Sequence, residues 1–140
     1  MGAWRTAQLN EIEPAPALRE ASFWGDWTDD PEFGRRWRSI RRHFGIGGFG
    51  VNAHQADAGR ELIVRHDEAS FGGQEELYIV LEGRAKFTCD GVEFELGRGG
   101  LLYTQPDVVR HALALETPTA LLMIGATPGE PYTIPDWDRE

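Results

Sequence analysis

The stretch AKFTC-DG-VEFEL, residues 85–96, decides the fold class. Val92, Phe94 and Leu96 alternate with Glu93 and Glu95, the two-residue period of a half-buried strand. Asp90-Gly91 supplies two residues that tolerate positive φ, as a two-residue type I′ turn requires. A β-hairpin turning on Asp90 and Gly91 is therefore expected. Outward from it the same period recurs between turn residues: GGFGVNAHQ (47–55), ELIVRH (61–66), ELYIVLEG (76–83), GLLYTQ (100–105), RHALAL (110–115) and TALLMIG (119–125). Gly97-Arg98-Gly99-Gly100 turns one corner, and Pro106 ends the strand that follows. Eight short strands with regular turns, counted from these quoted runs, predict an all-β closed barrel or jelly roll.

Ahead of the strands the pattern changes. The first thirty residues read as an extended arm broken by Pro14 and Pro16, in which Phe23, Trp24 and Trp27 need a surface to cover. They are expected to be buried against the barrel or across a dimer interface. One N-terminal helix is expected over Pro31–Phe44, with Asp30 as N-cap, Pro31 in the first turn and Gly45 at its end. Phe33, Trp37, Ile40 and Phe44 would form its apolar stripe, leaving Arg35, Arg38, Arg41 and Arg42 off the stripe and Arg36 beside it. Residues 1–58 are read as arm, helix and first strand packed on the barrel, and 59–140 as the barrel and its C-terminal tail, together one structural domain. Tyr132 and Trp137 are expected to pack the Pro-rich tail back onto the barrel.

Composition narrows the function classes. Hydrophobic residues at 41% and charged residues at 26% are an ordinary globular mix. No apolar run reaches membrane-spanning length, and the N-terminus does not read as a secretory signal, so a cytoplasmic protein is expected. A net charge of −9 disfavours nucleic acid and anionic membranes as partners. The lone Cys89 excludes an intramolecular disulfide and multi-cysteine metal sites, and is read as a small buried hydrophobe. The Arg35–Arg42 cluster is read as a solvated helix face, with an anionic landing site as the alternative. His43 and His54 have no motif support and are read as surface or structural residues.

Two spacings carry a family resemblance. Glu76 is followed after six intervening residues by Gly83, and Gly100, Pro106 and His111 stand in order with His111 five positions beyond the proline. Over roughly residues 60–126 these resemble the paired motifs of small bacterial cupins. The resemblance implies a cupin-type double-stranded β-helix with Glu76 and His111 converging in the lumen. The positions where metal-binding cupins carry two histidines fall within Ala69-Ser70-Phe71-Gly72, which holds no ligand, and Val108 and Leu115 stand where a glycine and an asparagine are expected. A complete metal site, and hence a cofactor, is therefore not expected.

His66-Asp67-Glu68 restores the missing alternation one loop earlier. His66, Glu68, Glu76 and His111 would then form a mixed nitrogen and oxygen shell suited to iron, manganese, nickel or zinc. Tyr78 shares the face of Glu76, and Tyr103 is expected on the opposite wall. The reading that follows is a metal-free barrel binding a small organic ligand through Glu76, His111, His66, Tyr78 and Tyr103. The alternatives are a metal-dependent oxygenase or isomerase using the four-residue set, and a regulatory or scaffolding protein acting through the arginine helix. A homodimer paired through arms and barrel edges is expected.

Overall fold

The computed structural model describes residues 3–139. Its strands are β1 (Trp37–Arg38), β2 (Gly50–Ala56), β3 (Glu61–His66), β4 (Glu75–Glu82), β5 (Arg84–Cys89), β6 (Val92–Gly97), β7 (Leu101–Thr104), β8 (Arg110–Ala114) and β9 (Thr119–Ala126). They form two antiparallel sheets, ordered β1-β2-β9-β4-β7 and β3-β8-β5-β6. Each of the eight expected strands is present, and the fold is the double-stranded β-helix. The sheets close face to face over Leu62, Tyr78, Val80, Ala85, Phe87, Ala112, Ala114, Leu121 and Met123. Each of these lies on the inward parity of its strand, while Ile63, next to Leu62, joins the core where the β3 register shifts.

The hairpin turns as expected. Asp90 and Gly91 separate β5 from β6 with φ of 49° and 83°, both in the left-handed region that a type I′ turn uses.

The Pro31–Phe44 helix does not form. A 3₁₀ turn occupies Phe33–Arg36, Trp37 and Arg38 become β1, and only α2 (Ile40–Phe44) is helical, ended by Gly45 at φ 70°. Trp37 pairs with His54 and Arg38 with Ala53, so this segment covers an edge of β2 that would otherwise stand open. Gly34 sets the other constraint. A Cβ there would lie 1.6 Å from the Leu18 carbonyl oxygen, so this backbone approach has no room for a side chain. Helical periodicity was present in the sequence, but sheet pairing and close arm packing overrode it.

The arginines of this segment are also not a solvated helix face. Arg41 is buried, its Nε 2.5 Å from the Asp138 carboxylate and its NH1 donating to the Ile46 carbonyl at 2.6 Å. Arg36 pairs with Asp30 at 2.8 Å and donates to the Gln55 carbonyl, while Arg38 donates to Ile12 O at 2.9 Å. These three guanidinium groups tie the arm and tail to the sheet. Arg35 remains exposed at the surface.

The arm buries Ile12, Ala15 and Leu18 rather than its large aromatics. Phe23 and Trp27 are 42% and 48% exposed, and Trp24, in α1 (Ala21–Trp24), is half-buried. They stand at the rim of the barrel instead of under it. Trp137 meets Trp37 edge-on at 6.1 Å, bringing the tail onto the same rim. Among the described residues, no helix is long and apolar enough to cross a membrane.

His54 joins arm to barrel from a fully buried position. Its ring nitrogens face the carbonyls of Leu62 and Phe33 at 3.0 and 2.9 Å, and burial, helped by the Arg36 charge, pushes its pKa down to about 4.

Two outcomes follow from this architecture. Gly91→Ala is expected to cost about 1 kcal/mol in urea unfolding, because alanine resists the positive φ of this turn; an unchanged midpoint would refute the turn's role. The second concerns His54. An unfolded chain takes up the His54 proton near pH 6.5, and the folded chain refuses it until about 4. Stability is therefore lost as pH falls through that window, on the order of 3 kcal/mol. His54→Gln should remove that share of the pH dependence; identical slopes in both proteins would refute it.

Candidate functional site

The side-chain cluster begins at the end of β3. Its inward residues Leu62 and Val64 lead to His66, whose Cα partner across the sheet is Arg110 of β8. Beyond the strand, the backbone N–H groups of Glu68 and Ala69 both donate to Pro106 O, at 2.8 and 2.9 Å. A 3₁₀ turn at Ala69–Phe71 follows, and Gly73 N returns to Glu68 O at 2.9 Å. This loop folds Glu68 back beside His66. From β4, Glu76 and Tyr78 point inward, and Gly125 on β9 leaves room for them: a Cβ there would lie 3.2 Å from Glu76 Cγ.

His66, Glu68 and Glu76 thus meet, with one potential ligand atom from each lying within 4.8 Å of the others. His66 Nε2 is 2.8 Å from Glu68 Oε2, and its Nδ1 lies 2.6 Å from the Val64 carbonyl. The Tyr78 hydroxyl donates to Glu76 Oε1 at 2.5 Å. Burial, then the neighbouring Glu68 charge, raise the Glu76 pKa above its ordinary value, against the Tyr78 hydrogen bond and the Arg110 charge. Burial alone would lower the His66 pKa, but the Glu68 hydrogen bond, the Val64 carbonyl and the nearby carboxylates outweigh it and raise the value. The cluster can hold and pass protons between an imidazole and two carboxylates.

Two expected members are elsewhere. In β8, Arg110, Ala112 and Ala114 point inward, so His111 faces out, where its Nε2 is 2.9 Å from Glu61 Oε2. Glu61 also accepts a hydrogen bond from the Thr28 hydroxyl. His111 belongs to a second, more open groove of about 620 Å³ that it shares with Arg65 and the arm aromatics. Tyr103 is likewise on the outer face, 55% exposed and donating to Glu75 at 2.8 Å, because Leu102 and Thr104 take the inward parity of β7. The four-residue metal set is not assembled.

Arg110 takes the inward place instead. Its side chain is fully buried, NH2 donates to Thr104 Oγ1 at 2.6 Å and to Gln105 O at 3.0 Å, and NH1 lies 3.8 Å from Glu76 Oε1. The RHALAL run already held the signal. Ala112 and Ala114 are the small apolar positions of that strand, and their parity includes residue 110, not 111. Cys89 is half-buried, and burial pushes its thiol pKa up, away from reactivity.

Above the cluster lies a cavity of about 460 Å³. Trp24, Trp27, Trp37, Trp137, Phe33 and Phe71 contribute to its walls, and Asn52, Gln74 and Tyr132 add polar points. Trp27 and Phe71 meet edge-on at 5.6 Å, linking the arm to the Ala69–Phe71 turn.

Comparison with known proteins agrees with this barrel. The cupin domain family model matches residues 70–125. Over those residues the chain resembles a cupin domain, and its barrel has the cupin fold. A cupin protein from Bacteroides fragilis is 22% identical, with 97% of this chain and 96% of that one covered at a TM-score of 0.64. A sugar phosphate isomerase of the cupin superfamily from Silicibacter pomeroyi is 24% identical over 64% of this chain and 57% of that one, with a TM-score of 0.55. A putative sugar phosphate isomerase from Acidithiobacillus ferrooxidans is 20% identical over 64% and 56%, with a TM-score of 0.54. No curated protein matches the sequence. At these identities the neighbours speak for the fold alone.

The cupin fold raises the question of a metal, and the donor set here fits a three-ligand site. One imidazole and two carboxylates suit a borderline divalent ion. A Val64 carbonyl facing His66 Nδ1 is the arrangement that orients a ligating histidine through its other nitrogen. The Arg110 charge beside Glu76 offsets part of that carboxylate's charge from behind.

Proposed function

We propose that this barrel binds a small organic molecule in its lumen, with His66, Glu68, Glu76 and Tyr78 as the polar end of the site. The observation that carries the reading is a cavity of about 460 Å³ with aromatic walls and titratable groups gathered at one end. This is the size and polarity balance of a small-molecule site. The two isomerase neighbours suggest a phosphorylated sugar as one class, but none of the described residues lining the cavity is Lys or Arg. A phosphate would find no cationic partner there.

A second reading, a metal-dependent cupin enzyme, is favoured by the convergence of His66, Glu68 and Glu76. Those residues would hold the ion, which would supply Lewis-acid chemistry at the end of the cavity. The unpaired Cys89 is consistent with a cytoplasmic setting.

The homodimer belongs to the same proposal. Leu81, Leu101 and Tyr103 are 40%, 62% and 55% exposed on the outer face shared by β4 and β7. That is an apolar surface a second copy would cover.

Thermal-shift and calorimetric screening of small aromatic alcohols, amines and acids is expected to find compounds that stabilise the protein, and Val64→Trp, which fills the cavity, should abolish their binding. If none of the panel binds, or the variant binds them equally well, the lumen is not the site. In the same preparations, stoichiometric iron, manganese, nickel or zinc that is lost in His66→Ala selects the metalloenzyme reading. Light scattering after size exclusion should give twice the chain mass at micromolar concentration, and Leu101→Lys should halve it. A monomer throughout would discard the dimer.

A further inference from the structure

Charge is distributed unevenly around the lumen. Glu68 and Glu76 face it, while none of the described lining residues is a lysine or arginine. Arg110 stands behind Glu76, fully buried, and is not among the residues lining the cavity. Its guanidinium offsets the Glu76 charge from outside the space a ligand would fill. The one imidazole present, His66, is already engaged with Glu68 and the Val64 carbonyl. An anion entering this cavity would meet carboxylates and no free cation.

The walls point the same way. Four of the chain's five tryptophans line the cavity: Trp24, Trp27, Trp37 and Trp137. Indole faces attract cations through their quadrupole, most strongly where water is excluded. Asn52 lines the cavity too, and its buried Oδ1 accepts no hydrogen bond among the described residues. Together with the two carboxylates and the Gln74 amide, this gives the site a surplus of acceptors, which a ligand carrying several N–H donors would satisfy. A bare divalent ion would use the carboxylates but leave the tryptophan walls and most of the volume empty. An uncharged molecule would use the walls but take water from two carboxylates while adding no charge of its own opposite them.

We propose that the lumen takes an organic cation, a protonated amine on a short apolar or aromatic body, with its ammonium at Glu68 and Glu76 and its body against the tryptophans. The assignment rests on the reading of the lumen as a binding cavity and adds the charge class of its occupant. The net charge of −9 adds a favourable long-range field for such a ligand. Trp37 Nε1, a buried donor without an acceptor, leaves a place for one oxygen on the ligand body.

Phenethylamine, phenethyl alcohol and phenylacetate share a ring and similar reach but differ in charge. Each is titrated into the full chain with a chelator present, at about pH 7.5, where the amine is protonated, following tryptophan fluorescence and heat. The amine is expected to bind about tenfold more tightly than the alcohol, and phenylacetate not at all. Glu68→Gln, and independently Glu76→Gln, should bring the amine down to the level of the alcohol, with melting temperatures recorded to confirm that both variants are folded. If the alcohol equals the amine, or phenylacetate binds best, the cation assignment is overturned while the lumen remains a binding site. If none of the three binds, both readings fall together.

Discussion

A guanidinium with no access to water lies between the two sheets, and the arrangement of the site depends on it. Arg110 is fully buried, holds Thr104 and the Gln105 carbonyl through one nitrogen, and sets a positive charge 3.8 Å from Glu76. Burying a carboxylate in an apolar barrel is costly unless an opposite charge or a donor compensates it. Glu76 has both, from Arg110 and from the Tyr78 hydroxyl. His66 sits opposite Arg110 in the β3–β8 register, so the pairing that places the guanidinium also places the imidazole. Glu68 then completes the group through a loop pinned to Pro106. Remove the inward guanidinium, and the carboxylates at the end of the lumen lose the charge that makes their burial tolerable.

The second constraint is the closing of the barrel mouth by segments outside the barrel strands. Arm, 3₁₀ turn and tail each bring aromatic rings to one rim, where Trp24 meets Phe33 edge-on and Trp37 at a tilt, and Trp137 meets Trp37. Buried ion pairs and carbonyl contacts fix them there. Arg41–Asp138 locks the tail, Arg36 and Arg38 lock the segment before α2, and His54 bridges Phe33 to Leu62. These polar ties do not line the cavity, but they hold the aromatic walls over it. The cavity is apolar above and titratable below because different parts of the chain build each half.

This chain has the cupin barrel, filled by its own set of inward residues. The glutamate of the first motif points inward, while the histidine at the second-motif position lies on the outer face with Glu61. A fold shared at about one-fifth identity does not transfer an activity. The chemistry therefore has to be read from the site, and this one combines two carboxylates, one imidazole and tryptophan walls.

Strand positions, the Asp90-Gly91 turn and the cupin architecture were legible in the sequence, because two-residue periodicity and turn chemistry are local properties. The His66-Asp67-Glu68 spacing drew attention to that pair, but β3 ends at His66, and a loop held by the Pro106 carbonyl, not strand alternation, brings Glu68 beside it. Tertiary structure decided the rest. A helical stripe from Phe33 to Phe44 gave way to edge pairing at Trp37 and Arg38, because an open β2 edge and the Gly34 approach outweigh intrinsic propensity. Motif spacing pointed to His111, while strand parity, fixed by Ala112 and Ala114 in the core, turned it outward and Arg110 inward. Which aromatics would be buried and which would line a cavity depended on contacts between segments far apart in the chain, and a local pattern carries no information about those.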